Sequence, residues 1–124
     1  MNYFLYKLIP PRPTFAADMT ESERAVMTEH VAYWTRQRDL GFAVGFGPVA
    51  DPAGSWGVAI VEAESELQAG QIRADDPAVR AGMTVQIYPM PAAVVRPYRT
   101  AAAVPGGGPA EGSPAGGSVA DDGG

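Results

Sequence analysis

The stretch of sequence that decides the fold is residues 20–41, which reads TESERAVMTEHVAYWTRQRDLG. Thr20 and Glu23 have the spacing of a capping box, in which the side chain of each residue accepts a hydrogen bond from the backbone amide of the other. Gly41 follows the last apolar position, as glycine commonly does at the C-terminal turn of a helix. The stretch therefore predicts one long helix. Its inner face combines two neighbouring stripes at helical spacing, which are Met27, His30, Val31, Trp34 and Arg38, and Val26, His30, Tyr33 and Gln37.

The segment before this helix predicts a strand followed by a loop. Residues 1–9 are nearly all apolar, rich in aromatic side chains, and stopped by Pro10 and Pro11. Such a short apolar run is typical of a central strand that is buried on both faces. Residues 10–19 contain three prolines and predict a loop that passes over the surface or rim of the protein.

Two segments after the helix predict a hairpin. Residues 42–47 alternate large and small side chains, so that alanine and glycine would form one whole face of the second strand. Such a face leaves space above the sheet for a closely packed helix or a small cavity. Residues 48–55 have the composition of a turn, and residues 56–62 predict a third strand that pairs with the second.

The remaining elements are shorter. Ser65 and Gln68 have the spacing of a second capping box, which predicts the start of a second helix. Asp76 and Pro77 predict the N-cap and the first residue of a short helical turn. Residues 84–90 then predict the fourth strand.

The predicted order of elements is β-α-β-β-α-β, which is an α+β fold of the ferredoxin-like type, with the helices packed on one face of an antiparallel sheet. The opposite face of the sheet would be open. Because a domain of this size has a small core, dimerisation would bury more of its apolar surface. We therefore expect a homodimer, a dimeric α/β-barrel-like assembly in which the chain is its own partner.

The composition changes sharply near residue 100. Residues 101–124 contain eight glycines, six alanines and three prolines, with no aromatic and no basic side chain. Such a segment cannot bury enough apolar surface to offset the entropy that is lost on ordering. We therefore predict one folded domain at residues 1–98 and a disordered Gly/Ala/Pro-rich tail at residues 99–124.

Composition also excludes several classes of function. The 124 residues include no cysteine, which rules out disulfides and thiolate sites, and a single histidine is too few for an ordinary zinc centre. The formal net charge of −5 is opposite in sign to that of a typical nucleic-acid-binding protein. No signal peptide and no apolar stretch of membrane-spanning length is evident. We expect a cytoplasmic protein with no cofactor, no metal, and no nucleic-acid or membrane partner.

His30 is the candidate for proton-transfer chemistry, because histidine is the side chain that ordinarily exchanges a proton near neutral pH. It belongs to both helical stripes and is expected to face the sheet or its edge. An acid–base role also needs a carboxylate that orients one ring nitrogen. Asp39 lies about 900° of rotation further along the same helix, roughly opposite His30. Of the other candidates, Asp75 and Asp76, the second follows the second helix and could lie beside the first.

Each of these residues also has a purely structural interpretation. A lone histidine between Met27 and Trp34 is commonly a packed or half-buried side chain, and an aspartate before proline is explained as an N-cap. Aromatic side chains are core residues by default. The residues alone leave both interpretations of His30 and Asp76 open.

Short motifs along residues 1–98 together resemble a known family. In order, they are Tyr3-Phe4-Leu5-Tyr6, Met19-Thr20-Glu21-Ser22-Glu23, Glu29-His30-Val31, Asp39 before Gly41, Gly47-Pro48-Val49, Asp51-Pro52-Ala53-Gly54, Trp56-Gly57-Val58, Asp75-Asp76-Pro77, Ala81-Gly82 and Pro89. This ordered set resembles the YCII-related (YciI-like) domain family. The resemblance implies a dimeric ferredoxin-like domain with a site built on the helix histidine and the aspartate of the Asp-Pro pair, here His30 and Asp76.

The resemblance also implies a class of function. Better-understood relatives in the family look like lyases that act on small hydroxylated, chlorinated ring compounds. By that likeness, His30 would move protons and Asp76 would fix its tautomer, without a cofactor. The alternative is a non-catalytic small-ligand-binding or regulatory dimeric module, and a third interpretation is a structural dimer without a ligand. In the enzyme, the small residues Ala43, Gly45 and Gly47 would leave room for the substrate. Trp34 or Tyr6 would form an apolar wall beside it.

Overall fold

A computed structural model describes residues 1–97. The predicted tail at residues 99–124 lies outside the described residues. The elements in chain order are β1 (Asn2–Ile9), α1 (Phe15–Asp18), α2 (Glu21–Leu40), β2 (Ala43–Val49), β3 (Trp56–Ala63), α3 (Glu66–Asp75), α4 (Pro77–Arg80) and β4 (Thr84–Pro89). No helix within residues 1–97 is long and apolar enough to cross a membrane.

The four strands form one antiparallel sheet in the order β2-β3-β1-β4. Strand β1 is central, and its residue Tyr6 pairs with Ala59 of β3 on one side and Ile87 of β4 on the other. Helices α2 and α3 bury their apolar side chains against one face of this sheet. The protein is therefore an α+β fold, as the sequence predicts.

Helix α2 forms where the sequence places it, and both of its ends have the predicted caps. The Thr20 side chain accepts a hydrogen bond from the Glu23 amide at 3.2 Å, and the Glu23 carboxylate accepts one from the Thr20 amide at 2.8 Å. Gly41 ends the helix with a φ of +92°, a left-handed conformation that favours glycine. This long helix carries His30 and Trp34 into the core.

The core lies between the helices and the inner face of the sheet. Along β1 the buried side chains alternate with partly exposed ones, because helices cover only one face of the sheet. The prediction that β1 is buried on both faces is therefore wrong for the part of the chain that the structure describes. The larger core cluster contains Phe4, Tyr6, Tyr33, Trp34, Ala43, Ala59, Val61, Ala63, Ala69 and Ile72, and a smaller one contains Leu8, Phe15, Met27 and Ala78.

Strand β2 departs from the predicted alternation of large and small side chains. The pairing with β3 shifts between Ala43 and Gly45, which leaves Val44 as the extra residue of a β-bulge. Ala43 and Phe46 consequently both lie on the helix side, where both pack into the larger cluster. The predicted face of alanine and glycine alone does not form, because the bulge resets the alternation.

The proline-rich segment at residues 10–19 contains regular structure and packs into the core, which a loop that only crosses the surface would not do. It contains the short helix α1, whose Phe15 is buried in the smaller core cluster. The Arg12 guanidinium joins the segment to the start of α2, with hydrogen bonds of 2.7 Å to Asp18 and 2.8 Å to Glu23. The prolines predict only a loop, and the single aromatic side chain among them, Phe15, is the signal in the sequence for this anchor.

Candidate active site

Asp76 lies at the junction between α3 and α4, where its backbone ends one helix and begins the next. Its Oδ1 accepts a hydrogen bond from the Ala78 amide at 2.9 Å, and Pro77 occupies the first turn of α4. The predicted N-cap at Asp76 is thus confirmed. The side chain is nevertheless completely buried, which is unusual for a carboxylate whose only role is to cap a short helix.

The junction places Asp76 directly against His30 of α2. His30 Nδ1 lies 2.8 Å from Asp76 Oδ1, and the histidine side chain is only 10% exposed. Asp39 does not take part, since it is exposed and pairs with the neighbouring Arg38 at the far end of α2. Of the candidate carboxylates, Asp76 is the one that the fold brings to the histidine.

Two aromatic side chains complete the surroundings of the carboxylate. Asp76 Oδ2 accepts a hydrogen bond of 2.7 Å from the Tyr6 hydroxyl and one of 2.9 Å from Trp34 Nε1. These two residues were expected in the core or in an apolar wall, and their hydrogen bonds to Asp76 were not predicted. The signal available in the sequence was that a buried Tyr hydroxyl or Trp indole N–H normally requires an acceptor.

The charge of the buried group follows from these contacts. Burial raises the pKa of Asp76, but the hydrogen bond and charge of His30, with the hydrogen bonds from Trp34 and Tyr6, outweigh it and hold that pKa below its ordinary value. Burial, followed by the charge and hydrogen bond of Asp76, raises the pKa of Tyr6. The carboxylate is therefore ionised and the phenol keeps its proton.

This ionisation fixes the tautomer of His30. An ionised carboxylate can only accept hydrogen bonds, so the proton between the two side chains belongs to His30 Nδ1. In the neutral ring, Nε2 is then the nitrogen with a free lone pair. The arrangement can take up a proton at Nε2 and stabilise the resulting imidazolium by the charge of Asp76.

A pocket between α2 and the sheet opens onto the histidine ring. Tyr6, His30 and Trp34 line it, and the rest of the lining carries no acidic and no basic side chain. The space among the lining atoms is about 390 Å³, including the solvent at the mouth, but only about 20 Å³ admits the centre of a water molecule. The remaining lining residues are Leu8, Val31, Phe46, Gly47, Pro48, Gly57, Val58 and Ala59.

Small residues of β3, rather than those of β2, form much of the sheet wall of this pocket. Gly57 and Ala59 alternate on the helix side of β3, opposite Leu8 and Tyr6 of β1. Of the three residues predicted to leave room for a substrate, only Gly47 lines the pocket. The alternation of large and small side chains that suggested a space beside residues 42–47 is also present in residues 56–60.

Among the described residues, the acidic and histidine side chains near the pocket form a pair and not a larger group. Within residues 1–97, no three histidine, aspartate or glutamate side chains are grouped as a metal site would require. The carboxylate beside His30 already has both of its oxygens engaged by protein donors. The described residues therefore provide a hydrogen-bonded histidine–aspartate pair at the wall of an apolar pocket.

Fold and site together define a small α+β protein with a buried histidine–aspartate pair at an apolar pocket. A family model for the YCII-related domain matches residues 1–91, and the chain belongs to this family. The matched region includes every strand and helix described above, and both His30 and Asp76. No curated protein matches the chain.

Proposed function

We propose that this protein is a small-molecule enzyme in which His30 and Asp76 act as an acid–base pair, with lyase-type chemistry on a hydroxylated ring compound and without a cofactor. The observation that carries the proposal is the 2.8 Å contact between His30 Nδ1 and Asp76 Oδ1 beside a pocket that His30 itself lines. This contact leaves Nε2 as the reactive nitrogen, and a histidine oriented by a buried carboxylate is a recurrent proton-transfer device.

In the proposed step, Nε2 of His30 removes a proton from a carbon or hydroxyl of the substrate. In a lyase reaction the electrons of the broken bond form a new double bond, and a leaving group on the neighbouring atom departs with its electron pair. The imidazolium formed is stabilised by the Asp76 carboxylate and returns the proton to the leaving group or to water. A positioned acid–base group of this kind contributes about 10²–10⁴-fold in rate.

The pocket favours a neutral and largely apolar substrate. Its lining holds no lysine or arginine that could pair with a phosphate or carboxylate, and the ionised Asp76 lies just behind the wall. An anion would therefore be repelled without compensation. A neutral hydroxylated ring becomes negative only as it gives up its proton, at the moment when His30 becomes positive. Because little of the pocket now admits water, the mouth must widen for a ring to enter.

We further propose that the domain is ferredoxin-like and dimeric. The strand order β2-β3-β1-β4, with helices on one face, supports the first assignment. The second is supported by the outer sheet face, which we define as the side chains that point away from the helices around Leu5, Val58, Ile60 and Tyr88. This face also carries Lys7 and Gln86. No helix of the described residues covers it, and a second copy would bury its apolar side chains.

The proposed function is tested by turnover of neutral hydroxylated ring compounds with three variants. His30→Ala and Asp76→Asn are expected to lower turnover by about 10²–10⁴-fold while the fold survives. Asp75→Asn is the matched control, because it removes a neighbouring carboxylate that makes no hydrogen bond to His30. Equal turnover in wild type, His30→Ala and Asp76→Asn would overturn the proposal.

A second candidate is a non-catalytic small-ligand-binding or regulatory module. The shielded position of the histidine favours it, since His30 is only 8% exposed and the present pocket is narrow. This candidate predicts saturable binding of the same compounds, lost on occlusion of the pocket, with no product after long incubation. Formation of product that depends on His30 excludes it.

A further inference from the structure

We propose that Tyr6 is a positioning residue for the pair, which holds the Asp76 carboxylate so that Oδ1 faces His30 and Nε2 remains the free nitrogen. The inference rests on the proposed function, because that function makes the free Nε2 the reactive nitrogen. It adds a residue from the sheet to a pair that otherwise comes only from the helical layer. Nothing in the family match identifies this residue as part of a site.

The two oxygens of Asp76 have separate sets of donors. Oδ1 receives His30 Nδ1 at 2.8 Å and the Ala78 amide at 2.9 Å, whereas Oδ2 receives the Tyr6 hydroxyl at 2.7 Å and Trp34 Nε1 at 2.9 Å. A carboxylate held at both oxygens cannot rotate about its terminal bond without losing charge-assisted hydrogen bonds. The donors on Oδ2, together with the Ala78 amide on Oδ1, therefore hold Oδ1 towards His30.

Tyr6 is the donor that ties this orientation to the sheet. Its backbone is paired on both sides, with Ala59 and with Ile87, so the phenol projects from the middle of the most constrained strand. The ring packs edge-on against Trp34, with centroids 4.6 Å apart. The sheet consequently fixes the backbone from which the hydroxyl projects, and the contact with Trp34 of α2 holds the ring.

Tyr6 also lines the pocket, which raises the alternative that it gives a proton to the substrate itself. Its contacts argue against this role. The hydroxyl proton is directed at Asp76 Oδ2, and burial together with that carboxylate raises the pKa of Tyr6. A phenol that holds its proton this firmly and points it at a carboxylate acts through Asp76, not on the substrate.

The test compares Tyr6→Phe with Tyr33→Phe. Tyr33 is a matched control, because it too is buried in the larger core cluster. The substitution Tyr33→Phe also removes a hydrogen bond of 2.7 Å, but one to the Ile72 carbonyl and not to Asp76. The readout is the ¹⁵N chemical shifts of the single imidazole at about pH 9, above the ordinary range of histidine titration. These shifts measure which ring nitrogen carries the proton in the neutral ring.

In Tyr6→Phe the ratio of Nδ1-protonated to Nε2-protonated ring is expected to fall by up to about tenfold, since one hydrogen bond to a charged group is lost. The two ¹⁵N shifts then approach each other. In Tyr33→Phe they stay at the wild-type values. Identical ring shifts in Tyr6→Phe and Tyr33→Phe would overturn the proposal and leave Tyr6 a core residue.

A measurement on the wild-type protein tests the proposal even if the Tyr6→Phe variant fails to fold. The Tyr6 hydroxyl proton and the Trp34 indole proton both point at Oδ2, so a nuclear Overhauser effect between them is expected. Its absence contradicts the proposal. Both experiments measure proton positions and not turnover. A changed tautomer ratio with no substrate found would thus support Tyr6 as a positioning residue while the proposed function fails.

Discussion

At the residue scale, the Asp76 carboxylate performs two tasks that sequence patterns present as alternatives. Its Oδ1 caps α4 through the Ala78 amide and accepts a hydrogen bond from His30 Nδ1. The cap requires a side chain that accepts a hydrogen bond at this junction, and the aspartate of the Asp-Pro pair provides it. The structural interpretation of Asp76 is therefore correct and does not compete with the functional one.

Gly57 gives a prediction at the same scale. A Cβ added there would lie 3.3 Å from the Leu8 Cβ, tighter than ordinary contact and within the wall of the pocket. We expect Gly57→Ala to lower the affinity for a pocket ligand by about tenfold, as overpacking of a tight site does. The measurement is titration calorimetry with any ring compound that binds the wild-type protein.

Gly45→Ala is the matched control for this substitution. Gly45 lies in the neighbouring strand, and a Cβ added there meets no atom within 4 Å. The affinity of the Gly45→Ala variant for the ligand should equal that of the wild-type protein. Equal losses in both variants would mean that the effect comes from the sheet backbone and not from the pocket.

At the element scale, the start of α2 is held by more than its capping box. Glu23 accepts hydrogen bonds from the Thr20 amide and from Arg12, and Arg12 also binds Asp18 at the end of α1. These contacts fasten the proline-rich segment, with its buried Phe15, to the helix that carries His30. The segment therefore behaves as part of the folded core.

The pH dependence of this connection is predictable. The hydrogen bonds from Arg12, followed by that from the Thr20 amide, lower the pKa of Glu23 to about 2 from an ordinary value of 4.5. Because the folded-state pKa is the lower one, the stabilisation is complete above about pH 4.5 and is lost as the pH falls towards about 2. Urea unfolding of wild type and Glu23→Gln should differ at about pH 6 and converge as the pH falls through this interval.

Glu21→Gln provides the control for this comparison. Glu21 lies in the same first turn of α2 and faces the same helix dipole, but it does not bind Arg12. The free energy of unfolding of Glu21→Gln at about pH 6 should differ less from that of wild type than the free energy of unfolding of Glu23→Gln does. A Glu23→Gln difference that persists unchanged at low pH would show that the carboxylate charge is not what stabilises this end of the helix.

At the scale of the whole molecule, residues 1–97 leave the sheet with one covered face and one uncovered face. The covered face carries the pair and the pocket, and the outer sheet face carries Leu5, Val58, Ile60 and Tyr88. Tyr88 is 48% exposed, whereas the others are partly shielded by their neighbours in the sheet. A group of apolar side chains of this kind, here with Lys7 beside Val58, fits a subunit interface.

We therefore predict that sedimentation analysis of the wild-type protein gives a dimer and that Ile60→Asp gives a monomer, because the substitution would bury a charge in the interface. Leu67→Asp is the control, since Leu67 is 74% exposed on α3, in the helical layer. A wild-type monomer would contradict the proposed assembly. So would an Ile60→Asp variant that remains dimeric.

The sequence was most informative where one residue settles a local conformation. Thr20, Glu23 and Gly41 located α2, and Asp76 with Pro77 located the junction that receives His30. These signals are local, since capping and proline geometry depend on neighbours in the chain.

The rest depended on contacts between distant segments. The bulge at Val44 arises from the pairing of two strands, and no pattern within residues 42–47 distinguishes it from regular alternation. The donors Tyr6 and Trp34 meet Asp76 across 70 and 42 residues of chain, respectively. Only the assembled fold shows which acceptor a buried phenol or indole finds.

The measurement that tests the account most directly is the tautomer of the only imidazole in the protein, followed by ¹⁵N NMR in wild type and in Asp76→Asn. Wild type is predicted to carry its proton on Nδ1 with Nε2 free, because the ionised Asp76 can only accept. The amide that Asp76→Asn introduces can donate as well as accept, so the proton should move towards Nε2. A wild-type ring protonated on Nε2, or an Asp76→Asn spectrum identical to that of wild type, would contradict the pairing on which the proposed function depends.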